Sequence, residues 1–218
     1  DRTGKIIAQA PVPPFSLEEL EAALGRLRGE IEQEPPMFSA VRVDGQRLYE
    51  LARQGKEVER AARKVTVHSM TLVELSLPDL RLSVRCSKGT YVRTLAHDLG
   101  EALGCHAHLT ALRRTESAGF TLERAVTLDE LRRLPEEELA KRVFGPSEAL
   151  AGLPLVVVPA HLITRLAQGQ RLPIAELGIP VGTDGERVRM ASEAGELLAV
   201  AQWKEAGLHY LRVLMRCG

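Results

Sequence analysis

Leu17, Leu20, Leu24 and Leu27 recur at the three- and four-residue steps that keep one face of a helix apolar. Ser16 and Glu19 form a capping-box pattern at the start of this run, and Gly29 stops it. From Glu34 the periodicity breaks. Pro35 and Pro36 lead into a strand-like run, Asp44-Gly45 turns it, and a short helix follows and ends at Gly55, which predicts a projecting loop-and-helix excursion over residues 34–60. Alternation over 64–75 and 80–86 predicts two strands joined near Pro78-Asp79 as an antiparallel pair. A helix after Thr90 turns Val92, Leu95, Ala96, Leu99 and Leu103 inward and ends at Gly104, and residues 108–120 form a strand candidate. Thr127 and Glu130 cap a further helix, and the acidic stretch after Pro135 reads as solvated linker.

Composition shifts near Leu153. A strand and a short helix ending at Gly169 come first, then two strands within 186–203 around a glycine-containing turn, then a strand over 209–217. Several short strands with one small helix in this stretch predict a compact barrel-like module at 153–218, after a larger domain over 1–152.

At 218 residues, 44% of them hydrophobic, the chain is long enough to bury a substantial core. Its 29 basic residues balance 29 acidic ones, so net charge favours neither a nucleic acid nor a membrane as partner. No apolar run approaches the roughly 20 residues of a bilayer span, and the opening "DRTGKIIAQAPVP" lacks the order of a secretory signal, so a cytoplasmic location is expected. The first residue is not methionine, which suggests that the natural beginning is absent. Cys86, Cys105 and Cys217 are odd in number and widely spaced, as reduced thiols would be.

His97, Asp98, Cys105, His106 and His108 lack the spacing of a metal site, and no metal is expected. Ser87-Lys88-Gly89-Thr90 resembles the tail of a phosphate-cradling loop, but the required upstream glycine is missing, so no ATP site is expected. What remains is Lys88, Tyr91, Arg93, Arg113 and Arg114. From Arg81 to Arg114 six cations face two acids, a locally basic stretch within a neutral chain. Cations beside an aromatic suit a nucleic acid, through phosphate neutralisation and base stacking. A packed tyrosine and a solvated arginine pair would leave the same pattern.

The stretch "CSKGTYVRTLAHDLGEALGCHAHLTALRRTESAGF" resembles the K-G-T-Y-[IV]-R-[ST] region of the bacterial TruB family of tRNA pseudouridine synthases. The upstream "QEPPMFSAVRVDGQRLYELARQGKEVER" resembles that family's insertion that grips the T-arm of tRNA. Phe38 stands where the family commonly has tyrosine, and Arg42 where it commonly has lysine. The resemblance implies an α+β chain with a mixed, largely antiparallel sheet, flanking helices and the insertion at 34–60, followed by a β-rich PUA-like domain. The implied reaction isomerises the T-loop uridine (U55) of tRNA, with no cofactor, no membrane and no obligatory protein partner.

By the same resemblance Tyr91 faces the flipped base and accepts the C5 proton, Arg93 pairs with the nucleophilic aspartate, and Leu112 walls the base. Arg42, Arg47, Arg53, Lys56, Arg60, Lys88, Arg113 and Arg114 are then candidate RNA contacts. The family's aspartate motif, G-[TS]-L-D-P-x-[AG]-[ST]-G, occurs nowhere in these 218 residues. The expectation is therefore that the chain alone forms no pseudouridine. The alternative is a non-catalytic RNA-binding or RNA-folding module.

Overall fold

The structure is a computed structural model and describes residues 4–215, so Cys217 lies outside the described residues. The chain divides into two compact units, residues 1–113 and 114–218. The first unit opens with helix α1, Leu17–Arg26, whose Ser16 hydroxyl accepts from the Glu19 amide while the Glu19 carboxylate accepts from the Ser16 amide. Strand β1, Gly29–Gln33, follows where the sequence pattern gave only a helix stop. Hairpin strands β2, Arg42–Val43, and β3, Gln46–Arg47, then lead into helix α2, Leu48–Arg53. Strands β4, Arg63–Ser76, and β5, Asp79–Cys86, pair antiparallel as expected, and helix α3, Val92–Ala102, completes the unit.

The three long strands form one antiparallel sheet in the order β1-β4-β5. In the β4–β5 ladder Val67 faces Cys86 and Ser69 faces Arg85, so His68 is an extra residue in β4. That bulge shifts the alternation by one and turns Met70 to the same core as Val67. The core joins Leu20, Ala23 and Leu24 of α1 to Val67 and Met70 of β4 and to Leu95 and Leu99 of α3. Helix α3 is thereby fixed against the sheet that feeds it.

The second unit begins with hairpin strands β6, Glu116–Ser117, and β7, Phe120–Thr121, and a 3₁₀ turn, Leu122–Arg124. The strand expected over 108–120 is thus reduced to this hairpin. Ala118 and Gly119, both at positive φ, turn the chain back on itself within that stretch. Helix α4, Leu128–Arg133, carries the expected Thr127–Glu130 capping box. The acidic stretch expected to be linker is helix α5, Glu136–Arg142, where three glutamates occupy the first turn and two cations the last, favourable at each end of the helix dipole.

Helix α6, Pro146–Ala149, strand β8, Leu155–Val158, and helices α7, Ala160–Ala167, and α8, Ile174–Leu177, precede strands β9, Arg187–Ser192, β10, Leu197–Lys204, and β11, Gly207–Val213. The sheet order is β11-β10-β9-β8, antiparallel except for the β8–β9 pair. Trp203, Leu162, Leu166 and Met190 fill its core. The expected boundary at 152/153 falls within this unit. Arg189 on β9 donates to the carbonyls of Leu153 (3.2 Å) and Ser147 (2.7 Å), tying the α6 segment to the sheet. Among the described residues no helix is long and apolar enough to cross a membrane.

Candidate active site

Strand β5 ends at Cys86, but the next residue stays attached to β4. The Ser87 amide donates to the Thr66 carbonyl (2.8 Å), and the Ser87 hydroxyl accepts from the Thr66 amide (2.9 Å). A tight turn follows, in which the Thr90 hydroxyl donates to the Ser87 carbonyl (2.9 Å) and Gly89 takes φ +88°, a conformation that favours glycine. Lys88 is exposed on this turn.

Tyr91 is the N-cap of α3. Its side chain cannot accept from the first-turn amides as serine, threonine or aspartate would, and it makes no such bond. The junction is held from a distance by Gln33, the last residue of β1 and only 3% exposed. Gln33 Oε1 accepts from the Tyr91 amide (2.7 Å) and Gln33 Nε2 donates to the Tyr91 carbonyl (3.2 Å). Two residues on, Arg93 Nη2 donates to the Phe38 carbonyl (2.8 Å). Tyr91 and Arg93 are therefore both fastened to the segment 33–38, which carries Phe38, 58% exposed, beside the junction.

Leu112 lies on the irregular chain that follows α3, 67% exposed and outside the core. Arg113 closes the first unit, exposed; Arg114 opens the second, and its guanidinium reaches the Ser117 hydroxyl at 3.5 Å.

The insertion has its own order. Asp44 and Gly45, at φ 50° and 81°, make a two-residue hairpin turn, and Arg42 stands directly opposite Arg47. The Leu48 amide donates to the Val41 carbonyl one pair further from the turn, so the two arginines occupy a non-hydrogen-bonded pair, where facing side chains are closest. The Tyr49 ring takes Arg47 and Arg53 at 5.9 and 5.4 Å from its centroid, and Arg47 also donates to its hydroxyl (3.2 Å). Leu48 and Leu51 anchor α2 inside, leaving Arg42, Arg47, Arg53 and Lys56 exposed. Arg60 differs. It is bonded to Glu34, lies 3.8 Å from Glu57, and has only 18% of its side chain exposed.

On α3, burial pushes the Asp98 carboxyl above its usual range, Glu101 adds to the shift and His97 opposes it. The His106 ring contacts the Glu101 carboxylate at 2.9 Å, and Cys105 is buried as a free thiol. Gln33 and the Phe38 carbonyl are site groups that the residue pattern did not single out. Gln33 lies in a polar stretch, Glu32-Gln33-Glu34, and nothing local marks it out.

Residues 1–92 match the model of the TruB family pseudouridylate synthase N-terminal domain, and residues 93–151 that of the tRNA pseudouridylate synthase B C-terminal domain. A tRNA pseudouridine synthase B of Burkholderia mallei (strain NCTC 10247) is 50% identical over 190 residues, covering 87% of this chain and 63% of the relative. That of Cupriavidus metallidurans is 44% identical over 220 residues, covering 98% of this chain and 69% of the relative. A solved Cbf5-Nop10-Gar1 complex contains a chain with a TM-score of 0.75 at 23% identity, matched over 94% of this chain and 64% of its own length, a likeness of fold. The chain thus spans somewhat under two thirds of the length of the first of these relatives. With the shared motifs, the two family models and relatives of this identity, the chain belongs to the TruB family of pseudouridylate synthases.

Proposed function

We propose that the protein is a tRNA pseudouridine synthase acting on the T-loop uridine, in which this chain supplies the base pocket and the RNA grip. The observation that carries the reading is the fastening of Tyr91 and Arg93 to one segment, by Gln33 and by the Phe38 carbonyl. In this reading the aromatic meets a base and the guanidinium, two residues on, meets a carboxylate. The reaction breaks the bond from the sugar to N1, turns the base and rejoins it through C5; the C5 proton leaves and N1 takes one up. No atoms are gained, so neither a redox partner nor nucleotide energy enters.

A target base inside a folded loop must first leave its stack. In this reading the Tyr91 ring faces the extruded uracil and its hydroxyl accepts the C5 proton, while Leu112, exposed, closes the apolar side. Arg93 holds the attacking carboxylate ionised and oriented, a role suited to the two-point fork of a guanidinium. That carboxylate would be the aspartate of the family motif, which none of the 218 residues provides. Arg42, Arg47, Arg53 and Lys56, with Lys88, Arg113 and Arg114, would neutralise phosphates. Arg60, engaged by Glu34, would instead stiffen the base of the insertion. Residues 1–152 form the catalytic portion in this reading, and 153–218 a PUA-like module that contacts the tRNA elsewhere.

The test is tritium release from C5-labelled tRNA by this chain joined to the aspartate-bearing segment of its family. Tyr91→Phe keeps the ring, so binding survives while turnover falls by at least the roughly hundredfold typical of a lost acid-base group. Arg93→Lys keeps the charge, loses the fork and slows cleavage itself. Rapid-quench analysis distinguishes the two, since only Tyr91→Phe would accumulate a cleaved base. Near-normal turnover in Tyr91→Phe would refute the proton-acceptor role.

A further inference from the structure

Gln33 is a neutral amide buried at the end of a strand, and such a group is tolerated where its hydrogen bonds are made. Both bonds go to one residue 58 positions away in sequence. The assignment of its amide oxygen and nitrogen is fixed by the partners, because the Tyr91 amide can only donate and the Tyr91 carbonyl can only accept. The same carbonyl also accepts from the Thr94 and Leu95 amides (3.0 and 3.1 Å), the first bonds of α3. Holding the N–H and the C=O of one residue fixes the torsions on both sides of its Cα. It therefore fixes the direction in which its side chain leaves the backbone.

Resting on the base-pocket reading above, we infer that Gln33 is a positioning residue that aims the Tyr91 ring at the extruded uracil. The junction has no local cap to do this. A serine or aspartate at 91 would cap α3 but could not stack on a base, so the tyrosine requires its anchor from elsewhere. Gln33 supplies it from β1, held in register on β4 by the Gln33–Arg63 pair.

The test uses the 218-residue chain and two T-arm stem-loop RNAs, one with uridine at the target position and one abasic there. Stacking one base on an aromatic is worth roughly fivefold to 150-fold in affinity. The wild-type chain should prefer the uridine RNA within that range. Gln33→Met, which removes both bonds at similar size, should reduce the preference at least fivefold or to none, with less than a twofold change in abasic affinity. Gln33→Glu keeps an acceptor for the Tyr91 amide but faces the Tyr91 carbonyl with a carboxylate. Its preference should be lost at pH 8 and recover as the pH falls and the carboxyl gains a proton to donate, whereas Gln33→Met should not recover. In a Tyr91→Ala background neither Gln33 change should alter the preference further.

If wild type prefers uridine and both variants keep that preference within twofold, the inference is overturned and the base-pocket reading stands. If abasic affinity falls in step with the preference, Gln33 is scaffold alone and the inference is again overturned. A wild-type chain that does not distinguish the two RNAs would overturn the base-pocket reading, and this inference with it.

Discussion

Arg42 and Arg47 face each other on a two-residue hairpin, both exposed, at the pairing position where side chains approach most closely. Like charges directly opposite on a sheet are destabilising, within a scale of about 0.2–1 kcal/mol for such pairs. Solvent and salt screen this exposed pair, so the lower end applies, a few tenths of a kcal/mol. Arg42→Ala should therefore leave the free protein as stable as before or slightly more so, while weakening its hold on RNA. Opposite signs are the signature of a cation kept for a ligand. Each phosphate contact contributes about 0.7–0.9 to the slope of log affinity against log salt. One contact thus accounts for roughly a threefold loss between 50 and 200 mM salt, and two for about tenfold. Arg42→Ala with Arg47→Ala should flatten the slope by about 1.4–1.8. The assay is fluorescence anisotropy with a labelled T-arm stem-loop across that salt range, beside urea denaturation of the free protein. An unchanged slope, with stability reduced by Arg42→Ala, would refute the grip and make the hairpin a structural element.

Two further expectations concern α3. Burial raises the Asp98 carboxyl in the folded protein above the ordinary aspartate value of 3.8, so the folded state binds that proton more tightly than the unfolded one and stability falls as the pH rises through the folded pKa. Asp98→Asn should melt higher than wild type at pH 7, with the gap narrowing as the pH falls toward 3.8; a gap that is constant with pH would refute the linkage. At Gly100 an added Cβ would lie 2.5 Å from the Ala107 amide nitrogen and 2.8 Å from its Cβ. Gly100→Ala should therefore destabilise by about 1–3 kcal/mol despite the helix propensity of alanine, and a melting temperature equal to or above wild type would contradict the close packing of 105–107 on α3.

The legible parts of the fold were those written in neighbouring residues. Ser16 with Glu19 and Thr127 with Glu130 cap helices because three residues bring side chain and amide together, whatever the tertiary fold. Asp44-Gly45 turns a hairpin because both residues tolerate positive φ. Glu205 and Ala206 make the same kind of turn between β10 and β11 at φ 52° and 57°, yet neither announces it, and the start of β11 at Gly207 was correspondingly hidden. Strand β1 was missed for a related reason: "GEIEQ" places only Ile31 in an otherwise polar run, and its pairing with β4 makes the strand. By polarity alone the acidic stretch after Pro135 resembles linker; what makes it a helix is that glutamates are favourable in a first helical turn, against the dipole's positive end.

The candidate site divides along the same line. Tyr91 and Arg93 stood out because an aromatic and two cations at a strand-to-helix junction are locally anomalous, and the motif they belong to carried the resemblance. Gln33 has no local anomaly. It becomes a site residue only when β1 pairs with β4 and β4 with β5, which brings residue 33 to the end of the strand that delivers residue 91. Its two bonds hold the N–H and the C=O of a residue whose own side chain makes no cap. A junction that gives up its local cap to present an aromatic needs a remote group to hold its backbone. That group can be found only after the sheet order is known, by asking which buried polar side chain satisfies the residue that cannot cap itself.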